Sequence, residues 1–196
     1  IVEVEDTYKL IDDELYDALY KEFEDDLDGW GAEIERETLT VRFREPTMLY
    51  DTGSAELKEQ FKKILDNFYP RYISTLRKFD LDYKNHIKEI RIDGHTSSRW
   101  KDATINQAFK NNMHLSQSRS LNVFFYLYDM SPMHSNWAKD ITTANGMSSS
   151  ETICEKNPQG DCILDVYGKT IEDSLLSQRT EFVVRTRKIL AYENKN

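Results

Sequence analysis

Three short polar runs interrupt the apolar segments of this 196-residue chain. Asp51-Thr52-Gly53-Ser54 is a turn that follows apolar Met48-Leu49-Tyr50. A carboxylate placed there could share a proton with a second one and form an acid–base pair. The chain has no second Asp-Thr-Gly, so such a pair would need two copies. In Asn112-Met-His-Leu-Ser-Gln-Ser-Arg119, Ser116 reads as a helix N-cap and Arg119 falls one turn later. The third run is Ser177-Gln-Arg-Thr-Glu-Phe-Val183. Taken singly, Arg119 fits a solvated helix face and Asp51 fits a turn that bonds its own backbone. Cys154 and Cys162 enclose Glu-Lys-Asn-Pro-Gln-Gly-Asp. A disulfide there would contribute about 2–3 kcal/mol and imply an oxidising compartment; two free thiols are the alternative. His86, His95, His114 and His134 lack the i, i+4 pairing of a helical zinc site, and there is no Cys-x-x-Cys or Gly-x-Ser-x-Gly. No metal or cofactor is expected.

The elements that must hold these runs follow from apolar spacing. Leu15, Leu19, Phe23 and Leu27, with Tyr8, Ile11 and Trp30, describe an amphipathic leader helix ended by Gly29 and Gly31. Residues 1–30 hold 12 acids and 2 bases, while the other 166 residues hold 23 acids and 24 bases. The net charge of −9 therefore sits in the leader, as a solvated helix face, and the body lacks the basic excess that nucleic-acid binding requires. Ala32–Glu37 and Thr38–Phe43 read as strands, the second alternating Leu39, Val41 and Phe43 with Thr40 and Arg42. Ser54 reads as the N-cap of a long helix carrying Leu57, Phe61, Ile64, Leu65, Phe68, Tyr72, Leu76 and Phe79, which Pro70 should kink or divide. Residues 87–95 read as a strand, 96–114 as a polar stretch without period, 116–128 as a helix and 131–140 as a loop with Pro132. A short strand over 141–147, a loop over 148–170, a short helix near 171–177 and a last strand over 179–187 complete the chain. Helices alternating with strands predict a helix-on-sheet α+β or α/β layer fold. No run approaches the ~18 apolar residues of a membrane span. The opening Ile1-Val2-Glu3 has neither Met nor a signal-peptide start, so the chain reads as a fragment.

Taken together, the runs resemble the OmpA/MotB-type peptidoglycan-binding domain. The family pattern is a strand ending Gly-His-Thr-Asp, then Asn-x-x-Leu-Ser-x-x-Arg-Ala, then Asn-Arg-Arg-Val-Glu. Here these appear as Ile90-Arg-Ile-Asp-Gly-His-Thr-Ser97, Asn112 to Arg119 and Ser177 to Val183. Tyr50-Asp-Thr-Gly-Ser-Ala-Glu-Leu57 and Asp140-Ile-Thr-Thr-Ala-Asn-Gly-Met147 match further segments in the same order, over roughly residues 38–187. Asn111-Asn-Met-His-Leu-Ser116 is closest to the MotB branch. Several linked motifs in one order are far more specific than any one of them.

The resemblance implies an OmpA-like βαβαβ two-layer sandwich over residues 32–196, with helices on one face of a mixed sheet. Residues 1–31 would be an acidic helix or linker from a missing membrane anchor. It implies binding of the diaminopimelate in a peptidoglycan stem peptide, a zwitterion needing a cationic fork at one end and acceptors at the other. Arg119 would clamp the carboxylate near helix-start amides, in a charge-assisted bond worth about 1.5–3 kcal/mol. Asn112 would hydrogen-bond the ligand and Thr96 would supply backbone groups. Asp51 would approach the ammonium, and Ser97, Leu115, Ser116 and Arg179 would line the pocket. Ser97 replaces the family's Asp and removes one counter-charge, with Asp102 in the following insertion as a substitute acid.

The expected role is non-enzymatic: anchoring a membrane complex, such as an ion-driven motor stator, to the cell wall. The expected partners are peptidoglycan, a second copy and an inner-membrane motor or channel subunit, and the expected location is the periplasm. Two alternatives stand beside it. One is an interaction module that kept the fold and lost wall binding. The other is a homodimeric aspartic protease built on Asp51.

Overall fold

The computed structural model describes residues 2–130 and 136–187, with side chains from Thr7 onward. Pro132 and His134 lie outside the described residues. The chain forms α1 (Val2–Phe23), α2 (Leu27–Trp30), β1 (Ala32–Glu35), β2 (Thr40–Phe43), α3 (Pro46–Leu49), α4 (Glu59–Asp82), β3 (Ile87–His95), α5 (Ile105–Asp129), α6 (Asn136–Ile141), β4 (Thr142–Ser148) and β5 (Arg179–Thr186). The five strands make one sheet in the order β1-β2-β5-β3-β4. Only β3 and β4 pair in parallel, so the chain must cross over between them, and α5 makes that crossing.

Period-two alternation sends Val41, Phe43, Ile90, Ile92, Phe182 and Val184 to one face of the sheet, where all are fully buried. They meet Phe61, Leu65, Phe68, Tyr72 and Leu76 of α4, and Val123 and Leu127 of α5. The Phe68 ring lies 5.1, 5.2 and 5.0 Å from the rings of Phe23, Phe43 and Phe182. Tilted and edge-on aromatic pairs of this kind add about 0.5–1.5 kcal/mol each beyond buried area. α4 runs unbroken through Pro70. Its buried apolar face on both sides of Pro70 outweighs the ~3 kcal/mol cost of an interior proline.

The leader is part of this core, because Leu15, Leu19 and Phe23 are fully buried in it. Its acids are more than a solvated face. Arg36 pairs with Asp13 and Asp17 at 3.0 and 2.9 Å, and Arg71 pairs with Glu22 and Asp26 at 2.7 and 2.8 Å. Nε2 of buried His86 lies 3.0 Å from Asp12.

Two helix starts differ from expectation, and one expected helix does not form. α4 begins at Glu59 rather than after Ser54. The Ser54 hydroxyl instead accepts the Glu56 N–H at 3.0 Å in a local turn, and Tyr50 bridges Leu57. α5 begins at Ile105 and is capped by the Thr104 hydroxyl, which accepts the Gln107 N–H at 3.3 Å. Ser116 is therefore mid-helix. The first turns of α5 carry no apolar period because their buried positions are the small Ala108 and the polar Asn112, while Ile105 is 88% exposed. No helix forms over residues 171–177, where Asp173 Oδ1 accepts the N–H groups of Leu175 and Leu176 in a turn. Among the described residues, no helix is long and apolar enough to cross a membrane.

Candidate functional site

α5 lies close against β3 and β4 because two glycines allow it. A Cβ on Gly94 would sit 2.4 Å from the Ser116 carbonyl oxygen, and one on Gly146 would sit 2.5 Å from the Gln117 nitrogen. Ser116 uses its hydroxyl to join helix and strand. It accepts the Ser148 N–H at 2.9 Å and donates to the Met113 carbonyl at 3.1 Å. Gln117 does the same along β4, donating to Ala144 O and accepting from Gly146 N at 3.3 and 2.8 Å. The face of α5 that carries Asn112, Leu115 and Arg119, at spacings of three and four, is thereby fixed over the end of β3.

A cleft of about 350 Å³ opens at this place. Thr52 and Gly53 wall it from the turn before α4. Ser97, Arg99, Trp100 and Lys101 come from the segment after β3, Asn112 and Leu115 from α5, and Ser174 and Gln178 from the segment before β5. Of the residues expected from sequence, Ser97, Asn112 and Leu115 line it. Asn112 is buried and donates to the Arg99 carbonyl at 3.4 Å, holding the wall segment in place. Thr96 is buried beside it, with its N–H on Ser148 O at 2.9 Å and its hydroxyl without a partner among the described residues.

Arg119 is 2% exposed and does not line the cleft; it contacts the backbone on either side of Thr52 and Gly53. Its Nε donates to Ser54 O at 2.9 Å and one terminal nitrogen reaches Asp51 O at 3.5 Å. The guanidinium stacks 4.4 Å from the centre of the Tyr50 ring. Among the described residues, no carboxylate forms an ion pair with it. Burial pushes its pKa below the usual guanidinium value, with Tyr50 acting in the opposite sense. Tyr50 itself is pushed up to about 12, chiefly by burial, so it stays a neutral phenol that hydrogen-bonds Thr180 at 2.9 Å. An arginine is charged regardless, and a buried cation without a counter-ion carries a desolvation cost of several kcal/mol.

The other expected residues sit differently. The Asp51 carboxylate is 78% exposed and turned to Lys58 Nζ at 2.8 Å, so only its backbone carbonyl meets Arg119. An exposed aspartate paired with a lysine is not placed to share a proton with a second carboxylate. Asp102 is exposed in a turn and does not line the cleft. Ser116 faces β4 rather than the cleft and offers no free helix-start amides. Arg179 does not line the cleft either. It is 4% exposed and donates to Glu181 at 2.6 Å, Glu151 O at 3.0 Å and Ser177 O at 3.2 Å. Arg42 Nε is also 2.6 Å from Glu181, and His95 Nε2 is 3.2 Å away. Burial alone would raise Glu181, but His95 and Arg179 outweigh it and hold the carboxyl well below the usual carboxylate range.

Sequence reasoning missed Arg99, Trp100, Lys101, Ser174 and Gln178. The legible signal was Trp100, an aromatic between two cations in a stretch with no core period. The segment before β5 is organised by the Cys154–Cys162 disulfide, whose Cα atoms are 5.6 Å apart. It contains two turns, in which Asn157 Oδ1 and Asp165 Oδ1 each accept two backbone N–H groups. Glu172 from this segment accepts the Ser98 N–H at 2.9 Å and so ties it to the cleft wall. Among the described residues, no group of three His, Cys, Asp or Glu side chains is placed to hold a metal ion.

The β1-β2-β5-β3-β4 sheet with its helices on one face is the architecture of OmpA-like and MotB-like domains. The cell wall anchor of the T6SS from Pseudomonas aeruginosa has this fold, with a TM-score of 0.52 and 22% identity over 86% of this chain and 97% of that one. A MotB-like protein from Desulfovibrio vulgaris matches with a TM-score of 0.55 and 20% identity, over 91% of this chain and 96% of its own. No family model matches. Zorya protein ZorB of Escherichia coli (strain ATCC 8739) is 43% identical over 164 residues, which cover 82% of this chain and 68% of that protein. The chain belongs to the ZorB family.

Proposed function

We propose that the chain binds the peptide stem of peptidoglycan without chemistry on it, and that it thereby anchors a motor-type membrane complex to the cell wall in the periplasm. One observation carries the reading: a buried guanidinium, with no carboxylate partner among the described residues, is held by the Asp51 and Ser54 carbonyls on either side of Thr52 and Gly53, which wall a cleft lined also by Arg99 and Lys101. A ligand carboxylate is the counter-ion this arrangement lacks, and it would reach the charge by displacing the exposed Thr52-Gly53 turn. Two of the five Arg119 donors engage backbone carbonyls, so the rest of the fork remains for the anion. The name of the Pseudomonas aeruginosa neighbour, a cell wall anchor, agrees with this reading. Ser97, Asn112 and Leu115 would complete the peptide contacts. A second copy and an inner-membrane subunit would be the protein partners. Among the described residues no acid lines the cleft, so the acid end of the stem peptide is the end it would recognise.

The test is co-sedimentation with purified peptidoglycan. The wild type is expected in the pellet and Arg119→Ala in the supernatant, with its thermal midpoint within a few degrees of wild type. Retention of a folded Arg119→Ala on peptidoglycan would overturn the clamp. Ser97, which offers no charge where the family has one, favours a second reading: an interaction module without wall affinity. Absence of wild-type sedimentation would support it.

A further inference from the structure

Residues 51–56 form a loop whose two ends are anchored while its middle is not. At its base Tyr50 and Leu57 face each other in a β-bridge, both buried in the core, and the Lys58 N–H donates to Leu49 O at 3.0 Å. Between them no residue is buried. The tip is a tight turn, with the Ser54 N–H on Asp51 O at 3.0 Å and Gly53 supplying a φ of 70°. The contacts that hold this loop against the molecule are polar. From α5, Arg119 donates to Ser54 O and Asp51 O, and the exposed Asn122 donates to Ala55 O at 2.8 Å. From the start of α4, Lys58 Nζ meets the Asp51 carboxylate at 2.8 Å and Thr47 O at 2.9 Å. No buried apolar side chain opposes release of the loop, which puts it at the low-stability end of the fold.

We propose that the 51–56 loop is a lid over Arg119, hinged at the Tyr50–Leu57 bridge and latched by Asn122 and Lys58. The inference rests on the peptidoglycan reading above. When closed, the lid gives the guanidinium two carbonyl dipoles in place of a counter-ion and covers the position a ligand carboxylate would take. A carboxylate makes a stronger bond to a guanidinium than a carbonyl does, so the ligand displaces the lid rather than the reverse. Tyr50 lies at the hinge, outside the moving turn, and its ring stacks on the guanidinium in either state. Asn122 and Lys58 are positioning residues, because they touch the lid and do not line the cleft. Their bonds to the lid belong to the closed state. They therefore set the fraction of molecules that can bind, and the observed affinity is reduced by that fraction.

Two measurements test the lid, one without ligand and one with it. The Arg119 Nε–H is buried under the lid, so its exchange with water, followed by NMR of arginine-labelled protein, reports opening directly. Asn122→Ala should speed that exchange about three- to tenfold, the loss of one ordinary hydrogen bond. Lys58→Met should act in the same direction and more weakly, because its ion pair with Asp51 is largely exposed. The second measurement is titration calorimetry with the stem tripeptide freed from sacculi by a muramidase and an amidase. Asn122→Ala should bind it about three- to tenfold more tightly than the wild type, through faster association with dissociation unchanged. A residue with a merely structural role would weaken binding when removed, so the sign of the change decides. Unchanged Nε–H exchange in Asn122→Ala would overturn the lid whether or not the tripeptide binds. Equal or weaker binding by a folded Asn122→Ala would overturn the latch and leave the wild-type binding in place. Failure of both proteins to bind the tripeptide would overturn the peptidoglycan reading, and the gating with it.

Discussion

Arg119 and Arg179 are both buried guanidiniums near the same end of the sheet, 2% and 4% exposed, yet they meet opposite surroundings. Arg179 projects from the face of β5 that also carries Glu181. The strand register sets His95 opposite Arg179, and Arg42 opposite Glu181. The cation there is neutralised within the fold, with Glu181 between two arginines and a histidine. Among the described residues, Arg119 reaches two carbonyls and an aromatic face. One arginine has its counter-ion among the described residues; the other does not. Burial of a charge therefore does not by itself imply an ionic partner in the fold. The two arginines differ in whether the fold supplies the opposite charge.

The contrast can be broken experimentally, beginning with the largest effect. Glu181→Gln should destabilise the protein by about 3–5 kcal/mol in denaturant unfolding, because removing one partner of a buried ionic cluster strands the others. A loss below ~1 kcal/mol would mean the cluster is solvated and the contrast is false. The same carboxylate fixes a pH dependence. Its folded-state pKa is depressed, so its contribution is fully present above the ordinary carboxylate pKa of ~4.3 and is lost as pH falls from there toward the depressed value. The stability gap between wild type and Glu181→Gln should accordingly be constant near neutrality and close under acid, as followed by urea melts at a series of pH values.

Next in size is the staple on the segment that brings Ser174 and Gln178 to the cleft. Replacing Cys154 and Cys162 with serine should cost about 2–3 kcal/mol in the chain-entropy account. Mass spectrometry of the unreduced protein should find no free thiol, and two free thiols would remove this element. The smallest stability change is expected at the other arginine. Arg119→Met should shift unfolding by less than ~1 kcal/mol, since it removes a buried unpaired charge together with two weak contacts. A loss as large as that of Glu181→Gln would show that Arg119 is structural after all.

Legibility followed the physics of each element. β3 and β5 were readable because alternation with one face buried is a property of the strand alone. α4 was readable from seven apolar positions at helical spacing. The start of α5 was not, because the positions its first turns bury are Ala108 and Asn112, which make no apolar stripe. Ser116 looked like a cap because Ser favours caps, yet mid-helix its hydroxyl serves Ser148 across the layer. Trp100, Arg99 and Lys101 stayed hidden because an irregular segment has no period, and which wall it forms depends on what packs beneath it.

Composition, apolar spacing and the order of the linked motifs determined the fold class, the layer architecture and the residue types at the end of β3. They could not assign partners. Arg179 and Arg119 occupy equally plausible motif positions, and a guanidinium's role depends on which carboxylate lies within a few ångströms. That distance is set by strand register and by how closely two glycines let α5 approach the sheet, and both exist only once the layers have packed.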